Sequence, residues 1–357
     1  MDSTLKPAVL YPYSNEPRFR DDYRRWQGIP SIEVSPKGRI FVNFYTGQGA
    51  EVGGNVMLLC TSDDGGETFR SGTLVAEHPD PAVRLYDPGL WIDPLGRLWL
   101  SYNQSRGFND GRIGVWVTLC EDPDAEVLQW SEPRRIANGI MMNKPLATSW
   151  GDWLFPCAIW RDGSGSVPTE RHGLENEQFS NVYASADQGA TIALRGAADV
   201  PNRGFDEHMI VEKKDGTLWM LVRTFDGIGE SFSTDQGRTW SPGRKSHIPG
   251  PCSRFFIRRL RSGRLLMVNH HNFGEQLDEG GIMAQGDVKS WKGRCNLTAM
   301  LSEDDGATWP YTLLLDERDE VSYPDAREAE DGYIYVTYDY QRVTNREIGR
   351  ASCRERV

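Results

Sequence analysis

A tyrosine, two carboxylates and an arginine occupy matching positions in repeated segments of the chain. Asp87, Glu207, Arg254 and Tyr323 each lie nine residues before a glycine that ends a short, mostly apolar stretch. A phenol can act as a nucleophile when a carboxylate takes its proton, and a guanidinium can bind a substrate carboxylate through paired hydrogen bonds. Because a structural repeat alone does not require these residue types, their placement indicates a binding or catalytic site.

Two further repeats carry other residues at the same position, nine residues before the turn glycine. Ile29 stands there in the first repeat and Met142 in the third, where a slip of one or two residues would bring Asn143 and Lys144 to the site. His208, the residue after the carboxylate of the fourth repeat, is another candidate for substrate binding.

The repeated element is a glycine-containing turn followed by a strand that is apolar or aromatic at most positions. An apolar strand also precedes each turn, so each glycine marks a hairpin. The six turn glycines are Gly38, Gly96, Gly151, Gly216, Gly263 and Gly332. Units of roughly 50–60 residues, each with room for about four strands, predict an all-β, six-bladed β-propeller. The first strand of each blade would begin at a central cavity, where propellers place their sites.

A second repeat, Ser-x-Asp-x-Gly-x-Thr followed by an aromatic residue, is superimposed on the first. Its Asp side chain can accept hydrogen bonds from nearby backbone N–H groups, and its glycine allows a positive φ. Three copies end in an aromatic residue and a weaker one ends in isoleucine. The four aspartates are Asp64, Asp187, Asp235 and Asp304. We interpret these turns as structural.

These turns resemble the Asp-boxes of the sialidase superfamily, and the resemblance extends from the N-terminus to about Asp339. Sialidases use a tyrosine nucleophile, because an anionic nucleophile would be repelled by the carboxylate of the sugar. The resemblance implies that Tyr323 is the nucleophile and Glu207 its base. It also implies that Arg223 and Arg254 are two of the three arginines that hold the substrate carboxylate.

The chain departs from the sialidase pattern at two places. Gly28 stands where the Arg-Ile-Pro motif of the family supplies the first arginine of the carboxylate site, although Ile29 and Pro30 are retained. The aspartate that acts as acid has no match, and Glu51 is the nearest carboxylate, with Asp87 as a further catalytic candidate. Losing one arginine should cost about 2–4 kcal/mol of substrate binding. Three cations could compensate, namely Lys144, Arg24 and Arg25.

Three functions are compatible with these residues. The first is a sialidase-like glycoside hydrolase that releases a terminal acidic sugar, such as sialic acid. The second is a lyase of uronic-acid glycans or another glycosidase, with Tyr323 and His208 as acid and base and Arg254 neutralising the uronate. The third is a propeller that binds glycans without catalysis, but such a binder has no need of a base behind a tyrosine.

The resemblance implies a carbohydrate partner, and composition argues against two other classes of partner. The net charge of −11 argues against nucleic acid and anionic membranes, both of which need a basic surface. The first residues lack the apolar run of a signal peptide, so we expect a cytoplasmic protein. The six cysteines lack metal-ligand spacing, and we expect neither a metal nor a cofactor. The sequence predicts no particular oligomeric state.

Residues 1–346 are predicted to form the propeller as a single domain. Residues 347–357 lack strand alternation and turn chemistry, and we expect this tail not to be native and to stand outside the fold. The sixth blade then lacks residues for four strands. A strand from Leu5–Tyr13 could close this blade, and we expect the blade to be incomplete or loosely formed.

Overall fold

A computed structural model describes residues 2–106, 112–160, 173–271, 293–342 and 346–354. In these ranges the chain is all-β, with 3-10 helices only at Ser3–Leu5, Pro17–Phe19 and Glu175–Glu177. It divides into two compact units. The first comprises Met1–Ile136, Ile140–Met142 and Pro324–Val357, and the second Ala137–Gly139 and Asn143–Tyr323.

The first unit contains the sheets formed by the beginning and the end of the chain. The first sheet has the order β1-β5-β4-β3-β2 and the second the order β6-β7-β8-β9. Their strands are β1 Val9–Pro12, β2 Trp26–Val34, β3 Ile40–Gly47, β4 Val56–Ser62, β5 Arg70–Glu77, β6 Val83–Ile92, β7 Leu98–Arg106, β8 Gly114–Cys120 and β9 Arg134–Asn138. The last sheet, β22-β23-β24, comprises β22 Val321–Glu328, β23 Tyr333–Tyr340 and β24 Glu347–Arg354. The boundary between the units falls within β22, after Tyr323.

The second unit contains three four-stranded sheets, each in sequential order. The first comprises β10 Leu146–Ala147, β11 Trp153–Ala158, β12 Ser180–Ser185 and β13 Ala193–Ala198. The second comprises β14 Arg203–Glu212, β15 Leu218–Thr224, β16 Gly227–Ser233 and β17 Arg244–Lys245. The third comprises β18 Phe256–Arg259, β19 Leu265–His270, β20 Leu297–Ser302 and β21 Tyr311–Asp316.

The six sheets are the blades of a β-propeller, which confirms the predicted fold class. Each predicted turn glycine lies in the turn between the two strands of the hairpin that it was expected to mark. All six have φ between 82° and 97°, a region that residues with a Cβ rarely adopt, so the backbone itself requires glycine there.

Apolar side chains fill the space between successive blades within each unit. In the first unit, Leu59 and Leu74 of the first sheet share one buried cluster with Leu90 and Leu100 of the second. In the second unit, buried side chains of the β10–β13 and β14–β17 sheets form a similar cluster. These cores fix the inner strands from which the candidate site residues project.

The first strand of four blades contains a residue with left-handed backbone conformation at the repeated position. The φ values are 55° for Ile29, 47° for Asp87, 42° for Glu207 and 55° for Tyr323. The strand pairing shifts register around the first three of these residues, as in a β-bulge. The nine-residue count therefore identified a recurrent backbone irregularity that re-aims a side chain at the start of the blade.

The four Asp-boxes are self-contained hydrogen-bonded turns. In the first, Ser62 Oγ donates to Asp64 Oδ1 at 2.6 Å, and Thr68 donates its N–H to Oδ1 at 2.9 Å and its hydroxyl to Oδ2 at 2.5 Å. Gly66 N–H donates to Ser62 Oγ at 2.9 Å. The same contacts recur around Asp187, Asp235 and Asp304. Each aspartate therefore accepts the hydrogen bonds that organise its own turn.

Two expectations about the ends of the chain were wrong. The N-terminal strand β1 pairs with β5 and extends the first blade, so it does not close the last one. The tail expected to stand outside the fold provides β24, which pairs with β23 from Glu347 opposite Tyr340 to Arg354 opposite Tyr333. Within the described residues, the last blade has three strands, as expected of an incomplete blade.

The Asp-boxes predict a loss of stability in strong acid. Hydrogen bonds from the threonine hydroxyl and N–H and from the serine hydroxyl hold the pKa of Asp187, Asp235 and Asp304 at about 2, below the ordinary 3.8. Because the pKa is lower in the folded state, this stabilisation is present above pH 3.8 and is lost as the pH falls towards 2. Urea unfolding of Asp235→Asn should therefore show a smaller loss of stability between pH 4 and 2.5 than the unmodified protein. Asp22→Asn, at an exposed carboxylate outside these turns, should lose as much as the unmodified protein; equal losses in all three would contradict the prediction.

Candidate functional site

Tyr323, Glu207 and Arg223 form a buried hydrogen-bonded triangle in the second unit. The Tyr323 hydroxyl donates to Glu207 Oε1 at 3.2 Å. Arg223 Nη1 donates to the same carboxylate oxygen at 2.6 Å and to the Tyr323 hydroxyl oxygen at 3.0 Å. The three residues, predicted from separate segments of the sequence, thus meet around one phenol.

The strands β14, β15 and β22 place these three side chains. Asp206 and Glu207 are consecutive left-handed residues in β14, and Arg223 in β15 pairs opposite Asp206. Phe205 lies under Arg223, with its ring centroid 4.6 Å from the guanidinium carbon, and packs edge-on against Trp160. The aromatic support and the bulge fix the arginine and the carboxylate relative to each other.

Charge compensation keeps the guanidinium ionised inside the protein. Burial alone would lower the pKa of Arg223, but the Cys252 sulfur, Glu207 and Tyr323 raise it well above its ordinary value. Arg223 Nε also donates to Cys252 Sγ at 3.4 Å. The phenol oxygen therefore lies against a permanent positive charge, which lowers the electrostatic cost of forming a phenolate.

Arg294 is a residue of the site that the sequence analysis missed. Its guanidinium carbon lies 5.4 Å from the centroid of the Tyr323 ring, and its Nη2 donates to the Cys252 carbonyl at 3.2 Å. Arg294 precedes β20, the third strand of its blade, and so falls outside the repeated position at the first strand. The signal in the sequence that could have found it was an arginine three residues before the third strand of a blade.

Arg254 and Asn143, predicted to bind substrate, contact each other behind Glu207. Arg254 Nε donates to Asn143 Oδ1 at 2.8 Å, and Asn143 Nδ2 donates to the Glu207 and His208 carbonyls at 2.7 and 3.1 Å. These contacts hold the bulged backbone that carries Glu207. The neighbouring Lys144 is buried.

His208 is buried beneath the site. Its Nε2 lies 2.8 Å from the Asn181 carbonyl oxygen, so this nitrogen carries the proton and donates it. Burial lowers the pKa of His208 to about 4, and the imidazole is therefore neutral at physiological pH.

The two remaining catalytic candidates, Glu51 and Asp87, lie in the first unit. Glu51 forms ion pairs with Arg84 at 3.8 Å and with Arg342 at 3.5 Å. Asp87 is buried at the bulge of β6, and its carbonyl accepts a hydrogen bond from Asn103 at 3.4 Å. These two carboxylates are not among the described hydrogen-bond partners of Tyr323.

The part of the chain that the structure describes contains no group of three His, Cys, Asp or Glu side chains suited to a metal ion. Within the same ranges, no helix has the length and apolar character needed to cross a bilayer. The chemistry available at the Tyr323 group is that of a phenol, a carboxylate and two guanidinium groups.

The chain is similar to solved propeller structures along nearly its whole length. The microbial sialidase Hz136, from the Hadza, has a TM-score of 0.70 and 16% identity, covering 97% of this chain and 68% of that one. A protein of unknown function from Dyadobacter fermentans has a TM-score of 0.67 and 16% identity, covering 94% and 95%. The intramolecular trans-sialidase of Ruminococcus gnavus has a TM-score of 0.63 and 13% identity, covering 92% and 94%. At this level of identity the likeness shows the fold alone.

No curated protein matches the chain. The sequence pattern of the family described as BNR repeat-like domain matches residues 73–336, which is well over half of the chain. The Asp-boxes and the six blades agree with that match. The chain belongs to the BNR repeat-like domain family and is a sialidase-like β-propeller.

Proposed function

We propose that the protein is a sialidase-like exo-glycoside hydrolase that releases a terminal acidic sugar, sialic acid or a related acid. The observation that carries this proposal is the Tyr323 hydroxyl hydrogen-bonded to Glu207 at 3.2 Å. A buried phenol with its own carboxylate acceptor is the pair that a tyrosine nucleophile needs.

In the proposed reaction, Glu207 takes the phenol proton while the Tyr323 oxygen bonds to the anomeric carbon. The bond from that carbon to the leaving-group oxygen breaks, and a carboxylic acid supplies a proton to this oxygen. Water then cleaves the glycosyl–tyrosine bond and returns the phenol. Arg223 stabilises the phenolate through its 3.0 Å contact with the phenol oxygen. Glu51 and Asp87 remain the predicted candidates for the acid.

The charges around Tyr323 support an acidic sugar as the substrate. Arg223 and Arg294 both lie against the tyrosine, one at its oxygen and the other at its ring. Guanidinium groups bind carboxylates through paired hydrogen bonds, whereas a neutral sugar offers them no anion. Arg294, rather than Arg254, is the second arginine that the arrangement favours for the substrate carboxylate.

The environment of His208 weighs against the lyase alternative. Its Nε2 is held by the Asn181 carbonyl and its side chain is buried, so it is poorly placed to exchange protons with a substrate. The carboxylate behind the tyrosine weighs against a purely binding role.

Removing the phenol or its base should abolish turnover. Tyr323→Phe and Glu207→Gln should each lower kcat for an aryl sialoside by about 10³-fold or more, because each removes a group that acts in the chemical step. Glu207→Gln should still bind free sialic acid. The rate at which the aryl alcohol is released measures turnover, and calorimetric titration measures the binding of sialic acid.

Tyr183→Phe is the matched control, since the Tyr183 hydroxyl also donates to a carboxylate, that of Glu177, at 3.0 Å. This variant should keep its activity. Turnover by Tyr323→Phe at the level of Tyr183→Phe would remove the tyrosine from the mechanism. Activity on aryl uronides and not on aryl sialosides would show that the substrate is a uronic acid and not sialic acid.

Arg294→Gln should weaken the binding of carboxylate-bearing substrates. We expect a loss of about 2–4 kcal/mol, seen as a decrease of about 30-fold to 1,000-fold in kcat/KM for an aryl sialoside, because a buried cation facing the carboxylate is removed. Arg264→Gln, at a residue of the same blade that pairs with Glu303 at 3.0 Å, provides the control. Equal kcat/KM values for the two variants would contradict the assignment of Arg294.

A further inference from the structure

One buried cysteine contacts both arginines that lie against Tyr323. Arg223 Nε donates to the Cys252 sulfur at 3.4 Å, and Arg294 Nη2 donates to the Cys252 carbonyl at 3.2 Å. The cysteine itself is only 6% exposed. Its side chain and its backbone therefore serve two different guanidinium groups of the same site.

A three-residue turn between β17 and β18 presents Cys252 in this way. Ser253 N–H donates to the Pro251 carbonyl at 2.8 Å, which is the hydrogen bond of a γ-turn centred on Cys252. The carbonyl of the central residue takes no part in the hydrogen bond of such a turn. It is therefore available to Arg294, while the thiol of the same residue reaches Arg223.

We propose that Cys252 is a positioning residue for the reaction, which holds the guanidinium of Arg223 in the orientation that serves Glu207 and Tyr323. This proposal rests on the proposed function and adds to it a residue that acts through Arg223. The guanidinium is a rigid planar fork, so a restraint on Nε also directs the two Nη atoms. Nη1 is the atom that lies 2.6 Å from Glu207 Oε1 and 3.0 Å from the Tyr323 hydroxyl oxygen.

The sulfur and the ring of Phe205 restrain the guanidinium of Arg223 in complementary ways. The ring centroid of Phe205 lies 4.6 Å from the guanidinium carbon. A ring against the face of a guanidinium limits its tilt but leaves it free to rotate within its own plane. The contact from Nε to the Cys252 sulfur lies at the edge of that plane, and it limits this rotation.

A sulfur atom suits this place because it is a weak acceptor that is easily polarised. A carboxylate at Nε would compete with Glu207 and Tyr323 for the positive charge of Arg223. The Nε–sulfur distance of 3.4 Å also exceeds the length of an N–H···O bond, which is about 2.9 Å. A serine hydroxyl at position 252 would bond to Nε only if the guanidinium moved by about 0.5 Å or more.

The test compares two buried cysteines of the second unit. Cys252→Ala should lower kcat for an aryl sialoside about tenfold, because a hydrogen bond that orients a group acting in the chemical step is lost. KM should stay within about twofold, since the carbonyl that Arg294 uses is retained. Cys252→Ser should also fall short of the unmodified kcat. Cys157→Ala, which removes the same atoms from a fully buried cysteine of β11, should leave both kinetic constants unchanged.

Crystal structures of the unmodified protein and the two alanine variants measure the restraint directly. In Cys252→Ala, Arg223 Nη1 should lie more than about 3.5 Å from the Tyr323 hydroxyl oxygen, beyond hydrogen-bond range. In Cys157→Ala, the contact should keep its length of 3.0 Å. Thermal unfolding of each variant establishes that the kinetic constants refer to folded protein.

The outcomes separate this proposal from the proposed function. If the unmodified protein turns over an aryl sialoside, equal kcat values for Cys252→Ala and Cys157→Ala would overturn the role of Cys252 alone. A lower kcat with an unchanged contact between Arg223 and Tyr323 would also overturn it, since the effect would not act through the arginine. Full kcat in Cys252→Ser would overturn the requirement for sulfur.

Absence of turnover in the unmodified protein would overturn the proposed hydrolase, and the crystal structures would then decide on Cys252 by themselves. A contact between Arg223 and Tyr323 that lengthens in Cys252→Ala and not in Cys157→Ala would support the positioning role. The same contact in both variants would overturn it.

Discussion

The candidate site depends on a left-handed backbone conformation repeated at the start of the inner strands. A residue other than glycine in this conformation costs on the order of 1–3 kcal/mol and persists only when the surrounding structure holds it there. Four such residues, Ile29, Asp87, Glu207 and Tyr323, lie in strands whose other residues are mostly buried, and this packing holds them in place. The same left-handed conformation carries isoleucine in one blade and the proposed base and nucleophile in two others.

Burial of Glu207 is compatible with folding only because Arg223 is buried beside it. An isolated carboxylate or guanidinium in the interior carries a penalty of several kcal/mol, which an ion pair of 2.6 Å with further hydrogen bonds can offset. Arg223 meets both Glu207 and the phenol oxygen through one nitrogen, so neutralising the base and stabilising the nucleophile are the same structural requirement. Asn143 and Arg254, behind the bulge, secure the backbone that makes this geometry available.

The parts of the structure that repeat could be predicted from the sequence. The six turn glycines and the Asp-boxes gave the blades, and the nine-residue count found Glu207 and Tyr323. Arg294 was missed because it precedes the third strand of its blade, a position that is not part of any sequence repeat. Arg254 was also found by the count, and its contact with Asn143, which binds the Glu207 and His208 carbonyls, could not be read from the repeat. β24 was missed because strand pairing with β23 supplies the order that its own sequence pattern lacks.

Gly28 and Arg342 show why a glycine is required at this position of β2. Glycine at position 28 opens the space, and Asp339, anchored on the N–H of Ile29, fixes an arginine from the far end of the chain in it. Ile29 then has a structural role, because its N–H donates to the carboxylate that positions Arg342.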